Sequence, residues 1–113
     1  MNEPKELIKY DDFSKIDMRV GTVLSAEEIE GSEKLIRMEV DFGQIGKRQI
    51  LAGIKMWYKP GDLINKQLPF VINIEPRKMM GLESQGMILA ADSNDKAVIL
   101  LPDSSIENGT SIR

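Results

Sequence analysis

The chain has 113 residues, enough for one domain with a modest core, and its 42% apolar and 29% charged content is that of a folded globular protein. It contains neither cysteine nor histidine, which excludes disulfides, thiolate chemistry and the commonest general base, and leaves only carboxylates for a zinc site. The net charge of −3 is unevenly spread: the segment from Lys34 to Lys78 carries +5 and the remainder −8, so the middle of the chain can present a positive face to a polyanion.

The first predicted element lies in KELIKYDDFSKID, a short helix or turn whose Leu7, Ile8, Tyr10 and Phe13 dock on the body. MRVGTVLSAEEIE reads as a long strand whose alternation slips at Gly21, which predicts a bulge or sharp coil there. After the turn GSEK, LIRMEVDFG alternates well, with Ile36, Met38, Val40 and Phe42 on one face and Arg37, Glu39 and Asp41 on the other. GQIG turns the chain into KRQILAGI, a third strand and hairpin partner of the second. KMWYKPGDLINKQ breaks the pattern at a Pro-Gly pair and predicts at least one helical turn, with Trp57 and Tyr58 packing it against the body. LPFVINI is the fourth strand. NIEPRKMMGLESQGM then reads as an irregular loop bearing two adjacent cations, before GMILAADS and AVILLPD form a final hairpin around NDK. No run approaches the roughly 18 apolar residues that span a bilayer, and the first ten residues lack the apolar centre of a signal peptide, so the expected location is cytoplasmic, without membrane contact.

These elements predict an all-β OB-fold: a five-stranded Greek-key barrel with a short helix between strands 3 and 4 and small terminal extensions. An SH3-like barrel or another α+β arrangement fits the strand count nearly as well. The blocks FSKIDMRVGTV, SEKLIRMEVDFG, KRQILAGI, INIEPRKMMG and ESQGMILAAD, in that order and spacing, resemble the tRNA-binding domain found at the C-terminus of methionyl-tRNA synthetases and its free-standing dimeric, beta-subunit-like form. The resemblance runs from about Asp12 to Arg113 and implies one OB-fold domain over 1–113, with a core of about 12–113 and residues 1–11 as an N-terminal extension. It also implies shape-directed tRNA binding, a homodimer built from the terminal segments near Leu7, Ile8, Tyr10, Phe13, Ile106 and Ile112, and assistance to a methionyl-tRNA synthetase catalytic chain. Two departures stand out. EGSEKL occupies the place of the family's P-x-A-D-K-L, keeping Lys34 and Leu35, and SQGM replaces S-E-G-M, so that Gln85 removes a negative charge.

In an OB-fold the ligand lies across one barrel face, flanked by connecting loops. The candidate tRNA-binding residues are Lys34, Arg48, Gln49, Asn73, Arg77, Lys78, Ser84, Gln85 and Met87. Arg77 suits bidentate phosphate contacts and Lys78 adds a point charge. Asn73, Ser84 and Gln85 offer neutral donors and acceptors for 2′-hydroxyls and base edges, and the methionines offer adaptable apolar surface. For Met87 a core position competes with this reading, for Asn73 a tie between backbone segments, and for Lys34, Arg48 and Gln49 a place among ordinary solvated or strand residues. The outward positions of the second strand carry no aromatic, which favours phosphate and shape recognition over base stacking along a single strand.

RKMMGLES superficially resembles the lysine-serine ATP loop of class I synthetases, but the partner signature of those enzymes needs histidines. Ser84 and Lys78 lack the surroundings of a nucleophile and its base. No catalytic residue, metal ligand or cofactor site is expected. The competing reading is an OB-fold homodimer that binds proteins as a secretion chaperone does, which requires an exposed apolar groove.

Overall fold

The computed structural model describes residues 3–113. A short helix, α1 (Tyr10–Ser14), leads into β1 (Met18–Glu28), followed by β2 (Ile36–Asp41), β3 (Lys47–Ala52) and β4 (Gln67–Val71). Then come β5 (Arg77–Met79), β6 (Leu82–Ser84), β7 (Met87–Ile88), β8 (Ala90–Ser93), β9 (Lys96–Ile99) and β10 (Ser111–Ile112). The main sheet runs β3-β2-β1-β4-β7, all antiparallel, with β10 paired to the start of β1. It curls into a nearly closed five-stranded barrel of OB order, as the sequence predicts. The long β1 makes this possible by pairing with β4 along its first half and with β2 along its second.

The period-2 pattern of β2 sets the layers. Ile36, Met38 and Val40 are buried, and with Phe42, Val23, Ile50, Leu63, Leu68 and Phe70 they form the barrel core. Phe42 and Phe70 meet edge to face, with centroids 5.4 Å apart. Burying one such side chain contributes about 1.5–3 kcal/mol, so this inward row dictates the register of the hairpin.

Gly21 is not the bulge. The register slips between Val23 and Ser25, leaving Leu24 as the extra residue. Gly21 pairs regularly with Leu68, and its role is clearance: a Cβ there would lie 2.6 Å from Val40 Cγ1 and 2.8 Å from the Phe42 ring. The connection from β3 to β4 contains turns and a 3-10 turn at Pro60–Asp62 where the sequence predicts a short helix. Trp57 and Tyr58 do pack on the core from it, and the Tyr58 hydroxyl accepts a hydrogen bond from the Ile99 N–H at 3.1 Å. In this way β8–β9 is fastened to the barrel.

The N-terminal segment departs from expectation. Within one chain α1 buries no residue: Tyr10 is 78% exposed and Leu7 fully so. The C-terminal segment, by contrast, is strapped to the barrel. The Gly109 N–H donates to Val20 O at 2.7 Å, Thr22 Oγ1 to Asn108 Oδ1 at 2.7 Å, and Arg19 Nη1 to Gly109 O at 3.0 Å. Hydrogen bonds to Asp17 push the Arg19 pKa up, so this cation keeps its charge at any working pH. Among the described residues no helix is long and apolar enough to cross a membrane.

Candidate nucleic-acid interface

The stretch that reads as an irregular loop is a hairpin. β5 and β6 pair Arg77 with Ser84, Lys78 with Glu83 and Met79 with Leu82. The two-residue turn, Met80–Gly81, has φ of 53° and 77°, the double positive φ of a type I′ connection. Glycine adopts this freely, whereas a methionine pays on the order of 1–2 kcal/mol. The Met80 Cε lies 3.4 Å from where a Cβ on Gly31 would be, so the hairpin tip stands near the β1–β2 loop that carries Lys34.

β6 also closes the barrel against β3, largely through side chains. Gln85 N–H donates to Gln49 O at 2.8 Å, and Gln49 N–H donates to Gln85 Oε1 at 2.9 Å. Gln49 Nε2 donates to Glu83 O at 2.8 Å, and Leu51 N–H donates to Ser84 Oγ at 3.0 Å. Three side chains, those of Gln49, Ser84 and Gln85, therefore stand in for missing rungs of a ladder.

This geometry sorts the nine candidates. Arg77 and Lys78 are both exposed, but strand alternation sends them to opposite faces of the hairpin. Arg77 shares the side of half-buried Met79 and Leu82, and Lys78 the side of Glu83. Lys34 is exposed on the adjoining loop, with its carbonyl fixed by the Lys55 N–H at 3.0 Å. Lys55 Nζ in turn donates to Ser32 O at 2.8 Å and steadies that loop. Gln49 and Gln85 lie at the seam, each with part of its amide spent on closure.

Three further candidates make hydrogen bonds within the chain, and the fourth, Met87, stands on the barrel's outer side. Ser84 is 3% exposed; its hydroxyl accepts from Leu51 and donates to Gly86 O at 3.0 Å, so it is a fastening inside the seam and not a contact. Arg48 pairs with inward Val40, and its Nη1 donates to Ile72 O at 2.6 Å and Gln85 O at 3.3 Å, capping the barrel's end from within. Asn73 binds the N-terminal segment, accepting from Asp17 N–H at 2.8 Å and donating to Lys15 O at 2.6 Å. Met87 pairs with Val71 on the outer side of the barrel, opposite the face of Phe70 and Ile88.

Residues that the candidate set omits complete the face. Beside the seam a cleft of about 340 Å³ is lined by the candidates Arg48, Gln49 and Gln85 together with Ser25, Glu27, Arg37, Glu39 and Lys47, which the candidate set omits. The registers align Glu27 with Arg37, Ser25 with Glu39 and then Gln49, and Asp41 with Lys47. Arg37 is held in an ion pair by Glu27. No aromatic lines the cleft; Phe42 and Phe70 are core, and Trp57 and Tyr58 pack on it. The outward alternation of IRMEVD is the signal for Arg37 and Glu39, and the hairpin register adds Lys47. Among the described residues no cluster of three or more His, Cys, Asp or Glu could hold a metal ion.

A hairpin bearing two exposed cations beside a polar barrel face invites comparison with known proteins, and residues 18–111 match the family described as "Putative tRNA binding domain". The chain belongs to this tRNA-binding domain family. It is 52% identical over 109 residues to a methionine–tRNA ligase of Methanothrix thermoacetophila, covering 96% of this chain and 16% of that protein. It is 41% identical over 108 residues to the corresponding ligase of Pyrococcus horikoshii, covering 96% of this chain and 15% of that one. The chain thus spans about one-sixth of the length of the curated relatives it matches. Among solved structures it is similar to a MetRS-related protein from Pyrococcus horikoshii, with a TM-score of 0.91 and 37% identity over 96% of this chain and all of that one. It is also similar to the chaperone CsaA of Bacillus anthracis, with a TM-score of 0.86 and 36% identity over 96% of this chain and all of that one.

Proposed function

We propose that this domain is a non-catalytic tRNA-docking module that holds folded tRNA near a methionyl-tRNA synthetase. The observation that carries the reading is the exposed Arg77–Lys78 pair on the β5–β6 hairpin, whose tip stands near the Lys34 loop. Cations on both faces of a two-stranded finger suit a cleft between two phosphate-bearing segments of a folded RNA better than a single strand laid on a surface. The lack of aromatics along the cleft agrees, since a single-strand binder needs stacking platforms. A weak, general grip of this kind raises the effective concentration of tRNA at a catalytic partner without chemistry of its own.

The working unit in this reading is a homodimer in the cytoplasm. Leu7, Ile8 and Tyr10 are exposed on the N-terminal segment, and a second apolar surface, lined by Val20, Pro69, Leu100, Leu101, Ile106 and Ile112, stands open on the outer face of β1 and β4. A second copy would cover both and double the cationic surface. Sedimentation should report a dimer at micromolar concentration, and Leu101→Asp should shift it to monomer; a wild-type monomer refutes the dimer.

The tRNA reading is tested by competing labelled folded tRNA with heat-unfolded tRNA and with duplex RNA of equal length. Preference for the folded form, weakened by salt, is expected. If no RNA binds while unfolded polypeptides do, the apolar surface is the working one and the similarity to CsaA chaperones is the better guide.

A further inference from the structure

The cleft beside the seam holds a carboxylate that a simple polyanion-binding face would not keep. Glu39 is exposed at its centre, between Ser25 on β1 and Gln49 on β3, and has no ion-pair partner among the described residues. Arg37 stands two residues away along β2, about 7 Å by strand geometry, and Lys47 lies on the opposite side across from Asp41. The volume of about 340 Å³ is at the small end of single-ligand sites, room for one nucleotide and not for a duplex.

We propose that this cleft reads one unpaired base of the docked RNA, with Glu39 selecting an edge that presents two adjacent N–H donors. An ionised carboxylate only accepts hydrogen bonds, and its two oxygens match a pair of parallel donors. Of the four RNA bases, guanine alone offers such a pair on its Watson–Crick edge, N1–H beside the N2 amino group. Gln49 Oε1 and Gln85 Nε2 are not used in barrel closure and are available to the rest of the base edge, and Lys47 is placed for a flanking phosphate. The inference rests on the tRNA reading and adds a base preference to it.

The probe is a folded RNA hairpin with one unpaired guanosine, beside versions carrying at that place inosine, which lacks the N2 amino group, or adenosine, with folded tRNA as reference. Wild type should prefer guanosine over inosine over adenosine, by about tenfold from first to last, as a bidentate base contact commands. Glu39→Gln should erase the preference. Glu39→Asp, which keeps the charge but withdraws the oxygens by one methylene, should weaken guanosine binding and leave adenosine binding unchanged. If folded tRNA binds wild type and Glu39→Gln binds every RNA more tightly with no base preference in either protein, the carboxylate is merely repulsive and the inference is overturned while the tRNA reading stands. If neither protein binds any RNA, both fall together.

Discussion

Replacing Ser84 by alanine separates a fastening from an RNA contact. The hydroxyl is buried, accepts from the Leu51 N–H and donates to the Gly86 carbonyl, both at 3.0 Å. Alanine leaves a donor and an acceptor without partners in the seam between β3 and β6. At roughly 1–3 kcal/mol for each unsatisfied buried group, with partial relaxation, the expected loss is about 2–4 kcal/mol. That is a large share of the ~5–15 kcal/mol that holds a domain of this size together. With a urea m-value of about 1–3 kcal/mol/M for a small domain, the midpoint should fall by roughly 0.7–4 M. Affinity for folded tRNA, measured at low temperature where the variant remains folded, should change by less than threefold. An unchanged urea midpoint with a tenfold loss of tRNA affinity would refute the reasoning, because the hydroxyl would then be facing the RNA.

Two further substitutions probe the packing and the electrostatics of the barrel face. Gly21→Ala forces a methyl group to within 2.6 Å of Val40 Cγ1 and 2.8 Å of the Phe42 ring, so thermal denaturation should show a loss of about 1–3 kcal/mol; full stability would mean that β1 and β2 are more loosely packed than this. Glu27→Gln releases Arg37 from its ion pair, and tRNA affinity at low salt should rise with a log–log salt slope steeper by roughly 0.7–0.9; an unaltered slope would place Arg37 outside the RNA footprint.

Much of the barrel is legible in the sequence because a half-buried antiparallel sheet writes itself as alternation. IRMEVD shows both the inward row and the outward charges, and the GQIG turn identifies its partner strand. The alternation itself breaks at Val23 and Leu24, where the register slips; reading the nearby glycine as the bulge misplaces it by three residues, because Gly21 serves packing clearance and Leu24 is the extra residue. The β5–β6 hairpin is hidden by Met80, a residue type that rarely takes positive φ and so masks a type I′ turn. Arg77 and Lys78 stand out by their charge, but their divergence to opposite faces follows only from the register. Ser84, Arg48 and Asn73 have the polar chemistry of ligand contacts, and only the folded chain reveals that backbone groups distant in sequence consume it. Tyr10 and Phe13 lie on a helix as expected, though one that finds no cover within a single chain.

The central claim is that the hairpin grips the phosphates of a folded tRNA. Its most direct test titrates folded tRNA into the wild-type protein and the Arg77→Ala/Lys78→Ala variant at several salt concentrations. Both residues are exposed on a surface hairpin, so the variant should fold normally. Binding by the variant should be weaker, with a log–log salt slope shallower by roughly 1.4–1.8, since two fewer phosphates are neutralised. Equal affinities and equal slopes in the two proteins would contradict the claim.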